Sequence, residues 1–366
     1  MGALGSLNSD IALPSEGEDT IQCLSWSPST NHLAAASWDH KVRIYDIASS
    51  RSARGVAALV AEAPVFSCDW AKDGETVVAG GADKMIRILD ASTGQQHVLG
   101  SHAAPVRDVR FAAVPGANGP IVVSGSWDKT VKFWDVRERP GNAVATLQCG
   151  ERVYSLDTKA NLLVFATAAN LIYLVDLKKP TAFLKTVPTP LKHQTKVVTA
   201  FPDGKGWATA GIEGRCGINA VEEANEKKVN FTFRCHRETT GEKIKNTDVF
   251  AINDVKFHPL YTTTFLTAGS DGTFCFWDRV AHQRLRGYPP VIASPNITTD
   301  SGTPRPAITA TSFNRDGSLF AYAIGYDWSR GCVGNTPRTE TKIMLHDVTD
   351  DDAKPKRAGY LSDRIR

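Results

Sequence analysis

The stretch Ser124-Gly125-Ser126-Trp127-Asp128-Lys129-Thr130-Val131-Lys132-Phe133-Trp134-Asp135 constrains the fold most, because weaker copies of it return at a near-constant interval. The turn aspartates Asp39, Asp83 and Asp128 lie 44 and 45 residues apart, and the closing aspartates Asp46, Asp90 and Asp135 keep the same steps. Such a period belongs to propeller blades. Each copy has an apolar strand, a turn with a small polar residue and Asp, and an alternating strand closed by an aromatic or aliphatic residue plus Asp. Leu33 to Asp46, Val77 to Asp90, Ile121 to Asp135 and Thr264 to Asp278 are the best examples. Alternation at period two between Gly and Asp turns reads as antiparallel hairpins, not helix.

Two copies are degenerate. Leu162 to Asp176 has Ala169-Asn170 at the turn, and Gly206 to Asn219 has Ile212-Glu213-Gly214-Arg215 there. A seventh runs from Ala307 through Tyr326-Asp327-Trp328 to Asp347, with a polar insertion between its second and third strands. The expected fold is therefore all-β, a seven-bladed propeller. A lone blade cannot bury both faces, so blades must stack and the ring must close without an exposed edge. The last copy supplies only three strands before a charged run, Asp350 to Arg357, so the segment Asp10-Ile11-Ala12-Leu13 is expected to add the missing outer strand. The organisation predicted is an N-terminal arm over 1–19 with the closing strand near 10–13, a propeller over 20–349, and a charged C-terminal tail over 350–366.

Seven repeats use nearly all of the 366 residues, so one domain is expected where length alone would suggest two. No run of 18 apolar residues exists to span a membrane, and no charged-then-apolar leader begins the chain. The seven cysteines are scattered, odd in number and without a Cys-x-x-Cys pair. They read as free thiols, mostly buried in strands, in a reducing compartment, which makes the sequons at Asn230 and Asn296 chance matches. Met1 to Ser6 fits a loose myristoylation pattern, but no basic cluster follows to add a second membrane signal.

A net charge of +3 does not imply nucleic-acid binding by itself. Local clustering is sharper: Arg279, His282, Arg284 and Arg286 fall within eight residues after the sixth copy's Trp277-Asp278. On an outer strand, alternation would set Arg284 and Arg286 on one side, able to meet phosphates. A charged edge that blocks sheet-to-sheet association is the other reading.

No catalytic constellation holds: there is no Gly-x-Ser-x-Gly, no His-Glu-x-x-His, no phosphate loop, and no paired carboxylates outside acidic tails. No cofactor, metal or enzymatic activity is expected. His102 precedes the third copy and is expected to join Asp128 and Trp134 in a buried structural network. Trp38 and Trp127 sit beside turn aspartates at strand tips, where a large apolar side chain either packs locally or anchors a partner. Trp134-Asp135-Val136-Arg137 fits the Trp-Asp-x-Arg signature of substrate receptors in cullin ubiquitin ligases, although three of its positions are common at any blade end.

Several stretches go beyond generic propeller chemistry: Pro190-Leu191-Lys192-His193-Gln194, Ile212-Glu213-Gly214-Arg215, Phe231-Thr232-Phe233-Arg234-Cys235-His236-Arg237, Val255-Lys256-Phe257-His258-Pro259 and Tyr326-Asp327-Trp328-Ser329-Arg330-Gly331. In order and spacing, from about Ile21 to Asp347, the chain resembles the nuclear-pore-associated WD-repeat mRNA export factors. The related spindle-checkpoint WD-repeat family shares part of this set, but the Tyr-Asp-Trp-Ser-Arg-Gly segment and Phe276-Trp277-Asp278 look like the export branch.

The resemblance implies a scaffold that binds a GLEBS-type segment of an FG-repeat nucleoporin across one face, at the nuclear pore and envelope and also in the cytoplasm. The propeller would be a monomer within a heterocomplex. It assigns Trp38 and Trp127 to that face and makes Arg215 a candidate partner for acidic residues of the segment. A segment that folds on binding needs a broad apolar platform, because ordering it costs free energy. Export-branch propellers can also contact RNA through a basic side surface, to which Arg279, His282, Arg284 and Arg286 correspond. The alternatives are a checkpoint adaptor, which would bind GLEBS-type segments of checkpoint kinases through the same face, and the ubiquitin-ligase receptor.

Overall fold

The structure is a computed structural model that describes residues 4–14, 19–48, 52–240, 246–291, 306–335 and 340–355. The sequon at Asn296 and the first half of the myristoylation pattern, residues 1–3, lie outside these residues. Seven four-stranded antiparallel sheets form, six of them ordered as the chain runs and the last completed by a strand from the N-terminal segment. The first blade comprises Ile21–Trp26, His32–Ser37, Lys41–Ile47 and Ala53–Val60. The second begins at Val65–Trp70, the third at Val106–Ala112, the fourth at Val153–Lys159, the fifth at Thr195–Ala200, the sixth at Ile252–Phe257 and the seventh at Ala307–Phe313. These first strands neighbour one another in sequence around the ring, the seventh lying against the first, so they are the innermost strands.

The third strand of a blade shows why stacking is obligatory. Phe133 and Trp134 are consecutive, both 1% exposed, and point to opposite faces of the third blade. Phe133 joins the apolar layer shared with the fourth blade, and Trp134 the layer shared with the second. Gly100, just before His102, makes room, since a Cβ there would lie 2.2 Å from the Trp134 ring. Seven such layers fill the seven gaps between blades.

The ring closes as the sequence predicts. Ile11 pairs with Leu345 and Ala12 with Met344, so the N-terminal segment is the fourth strand of the last blade. Asp10 fastens it with a 2.6 Å hydrogen bond to His346 Nδ1 and by accepting the Tyr322 hydroxyl at 2.7 Å.

The charged run after Asp347 does not leave the propeller at once. Asp350–Ala353 forms a helical turn opened by a Thr349/Asp352 capping box, with Asp352 and Ala353 buried. Tyr288 donates to Asp352 at 2.7 Å, and Thr264 donates to the Ala353 carbonyl at 2.6 Å, so this turn seals the outside of the sixth blade. Within the 220–250 insertion, Glu223–Val229 is a short helix, and Arg237–Thr240 pairs with Asn246–Val249 as a separate hairpin.

Candidate functional site

Because every blade runs in the same sense, the turns between second and third strands all lie on one face of the ring. In six blades the residue that closes this turn has positive φ: His40, Lys84, Lys129, Asn170, Gly214 and Gly272. The tight reversal places the preceding residues, Trp38 and Trp127 among them, at the tip.

A second device shapes the same face. Every innermost strand carries a bulge after its first or second residue, at Gln22, Phe66, Arg107, Tyr154, Lys196, Asn253 and Thr309. A bulge bends the strand and re-aims a side chain. Gln22, Phe66, Arg107, Lys196, Asn253 and Thr309 consequently line the narrow mouth of the central channel.

Together these devices build an aromatic ridge across four blades. Trp328 of the seventh blade stacks on Trp38 of the first at 4.6 Å and 16°. Trp38 lies 5.6 Å from Phe66 of the second, and Phe66 lies 6.2 Å from Trp127 of the third. The Trp38 indole N–H donates to Gln22 at 3.1 Å and that of Trp328 to Thr20 at 3.2 Å, so both rings are oriented. Trp127 is 37% exposed at the end of the row. Trp328 sits at φ 60°, a conformation that a bulky aromatic residue adopts only when its surroundings impose it. Those surroundings are Tyr326, whose hydroxyl donates to the Gly331 carbonyl at 2.7 Å and accepts the Arg330 N–H at 3.0 Å, and Asp327, which accepts the Ser270 hydroxyl.

Trp38 and Trp127 are thus brought into one surface, and two members of it escaped the sequence reading. Phe66 looks like any apolar inner-strand residue until the bulge turns it toward the channel mouth, against the tryptophans. Trp328 lies in a family segment without a recognisable turn aspartate pattern. Arg215 is on the same face but in the fifth blade, apart from the ridge. Its guanidinium is 3.9 Å from Glu213 and donates to Thr232 at 3.2 Å.

The structural network expected around His102 is present. His102 lies 2.8 Å from Asp128 through Nδ1 and 2.7 Å from Ser124 through Nε2, and the Trp134 indole donates to Ser124 at 2.8 Å. Burial holds His102 below the usual imidazole value, outweighing the pull of Asp128. For Asp128, burial works upward, but the hydrogen bonds from Thr130 and Ala103 and the nearby His102 prevail and keep it below the usual carboxylate range. The sixth blade repeats the device with His236, Asp271, Thr267 and Trp277. In the first and second blades an arginine replaces the histidine, Arg43 reaching Asp39 at 2.7 Å and Arg87 reaching Asp83 at 2.5 Å.

The basic residues of the sixth blade do not form the row that simple alternation predicts. Leu285 is an extra residue in the outer strand, so Arg286 pairs with Phe276 while Arg284 pairs with Trp277. Neighbouring pairs point to opposite faces, which separates the two arginines. Arg286 turns toward the seventh blade and meets Asp352 at 3.2 Å. Arg279 lies over the Phe201 ring at 4.3 Å and 3.7 Å from Asp203, and His282 stacks on Phe231 at 3.9 Å. Arg137 is paired within its own blade, at 2.8 Å from Asp135, and donates to the Asn118 carbonyl at 2.9 Å.

All seven cysteines are free thiols, and six of them, all but Cys332, are buried or half-buried in the inter-blade layers or strands. Among the described residues no cluster of three His, Cys, Asp or Glu side chains could hold a metal ion, and no helix is long and apolar enough to cross a membrane.

This fold and its turn networks define a WD40-repeat propeller. Residues 13–46, 56–90, 94–135 and 230–278 match the WD domain, G-beta repeat. The chain is 48% identical over 96% of its length to the WD40 repeat protein poxJ of Penicillium oxalicum, covering 97% of that protein. It is 46% identical to the mRNA export factor GLE2 of Chaetomium thermophilum, covering 96% of this chain and 94% of the relative. It is 43% identical to the poly(A)+ RNA export protein of Schizosaccharomyces pombe, covering 97% and 95%. The chain belongs to the family of WD40-repeat mRNA export factors.

Proposed function

We propose that this propeller is a non-enzymatic adaptor that docks a GLEBS-type segment of an FG nucleoporin and thereby serves mRNA export at the nuclear pore. The observation that carries this reading is the ridge Trp328, Trp38, Phe66 and Trp127, four aromatic rings on one face with one of them held in a strained backbone conformation. Large aromatic side chains at a surface are the usual anchors of an interface, and a folding-on-binding segment needs such a continuous platform. Arg107 and Lys196 at the channel mouth, with Arg215 beyond it, supply positive charge for acidic residues of the segment. Nuclear-envelope and cytoplasmic residence follow from that role.

The test is calorimetric titration of the full chain with a GLEBS-type peptide. Trp38→Ala with Trp127→Ala should weaken binding by about 2 kcal/mol or more if these are hot spots. Unchanged affinity removes them from the interface. The same titration with a checkpoint-kinase segment separates the export reading from the checkpoint one, since preference for the kinase segment would reverse the assignment.

RNA contact, if made through the sixth blade, would use the side that carries Arg284 and His282, because Arg286 faces the other way toward Asp352. Arg284→Glu should then lower RNA affinity and flatten its salt dependence. No RNA binding by the parent chain at low salt returns these residues to edge protection.

A further inference from the structure

In the second, third, fourth and sixth blades, the residue that follows the bulge reaches across to the backbone of the next blade. Ser67 accepts the Val109 N–H at 3.2 Å, and Ser155 accepts the Val198 N–H at 3.2 Å. Asp108 accepts the Leu156 N–H at 3.0 Å, and Asp254 accepts the Thr311 N–H at 2.9 Å. The first blade places Cys23 at this position, and its Sγ lies 3.5 Å from the carbonyl oxygen of Cys68. Cys68 is the second blade's counterpart of Val109 and Val198 in this ring of contacts. One thiol thus stands where other blades use serine or aspartate, and a second thiol occupies the residue it reaches.

The surroundings suit thiol chemistry. Cys68 is buried in the layer between the first and second blades with Ala34, Ala36, Val42 and Trp70, and half-buried Cys23 packs against that layer. Both residues line the wide end of the channel, a cavity of about 1080 Å³ on the face opposite the aromatic ridge, together with Asp69, Arg110 and Lys256. The hydrogen bond from Cys68, joined by the charges of Arg110 and Lys256, outweighs burial and lowers the Cys23 thiol to about 6. Cys68 is pushed the other way by the same hydrogen bond and by burial. A thiolate with solvent access beside a resolving thiol is the arrangement that oxidants select.

We propose that Cys23 and Cys68 are a peroxide-reactive pair that closes to a disulfide between the first and second blades. The Cys23 thiolate attacks hydrogen peroxide, forming the S–O bond of a sulfenic acid as the O–O bond breaks and hydroxide leaves. The Cys68 thiol then attacks the Cys23 sulfur, forming the S–S bond and releasing water. Peroxide is the two-electron acceptor, and the two thiols are oxidised.

The experiment treats the full chain carrying Cys332→Ser, which removes the exposed thiol, with hydrogen peroxide. Denaturing alkylation, intact mass and peptide mapping follow. The expected result is loss of two alkylatable thiols with a Cys23–Cys68 linked peptide that reductant reverses. Cys68→Ala should leave Cys23 as a sulfenic acid trapped by dimedone. Should that variant not fold, native-state alkylation of the parent should modify Cys23 at least tenfold faster than Cys275, whose thiol burial raises to about 11. Two thiols still alkylated after peroxide, a different linked pair, or Cys23 no faster than Cys275 would each overturn the proposal.

Discussion

Phe66 is 9% exposed yet touches both tryptophans that the partner would grip, so it can be altered for shape without emptying the core. Phe66→Leu conserves most of the volume, and its stability cost should stay below about 1.5 kcal/mol. The ring contacts are lost, so nucleoporin-segment affinity should fall by roughly 1 kcal/mol. Thermal melts and calorimetry on the same sample separate the two effects, and equal affinity would show that the ridge does not act through Phe66. Arg286 gives the opposite case. Asp352 is 5% exposed on its side chain, and Arg286→Ala takes away its ion-pair partner while Tyr288 and Thr349 keep their hydrogen bonds to it. Removing one member of a largely buried pair should cost on the order of 2–4 kcal/mol in denaturant unfolding. A stability within error of the parent would mean that Asp352 is resolvated at no cost.

At the scale of turns and strands, the histidine networks predict how the propeller responds to acid. His102 is held below its ordinary 6.5 in the fold, so the unfolded chain binds that proton first. The His102 contribution to stability should therefore be flat above neutrality and drain as pH falls below about 6.5, the unfolded value. Asp128 and Asp271 are held below their ordinary 3.8, and the stability they contribute is present above that value and lost as pH falls through their folded values. Thermal midpoints across pH 8 to 3 should show two stages, and His102→Gln should flatten the first; a slope unchanged in the variant assigns it elsewhere. The same elements show what the sequence could and could not reveal. The tip positions of Trp38 and Trp127 and the His102 network are legible because turn aspartates recur at a fixed period and mark the tips. Bulges leave no such mark: one extra residue at Phe66 or Leu285 changes which way its neighbours face while the pattern of apolar letters stays the same. In the sequence Phe66 is therefore indistinguishable from a core residue, and simple alternation sets Arg284 and Arg286 on one side.

Over the whole ring, closure was legible for a reason of stoichiometry, since seven stacked blades need twenty-eight strands and the last repeat lacked one. What the sequence did not disclose is how a two-residue strand, Ile11–Ala12, holds a ring shut. The answer is Asp10. Its carboxylate is 1% exposed and meets both His346, 4% exposed on its side chain, and the Tyr322 hydroxyl, while Leu13 adds its N–H to the Ile343 carbonyl at 2.8 Å and a buried side chain to the layer between the seventh and first blades. Asp10→Ala would strand a histidine and a phenol inside the seventh blade and release the short strand. The edge Lys342–Asp347 would then present unpaired backbone groups, a template for another chain. The variant should lose roughly 2–5 kcal/mol, the cost of leaving two buried polar groups without their partner, and should associate in a concentration-dependent way. Denaturant unfolding with light scattering measures both. If Asp10→Ala unfolds like the parent and stays monomeric, closure rests on Leu13 and the backbone pairing rather than on the carboxylate.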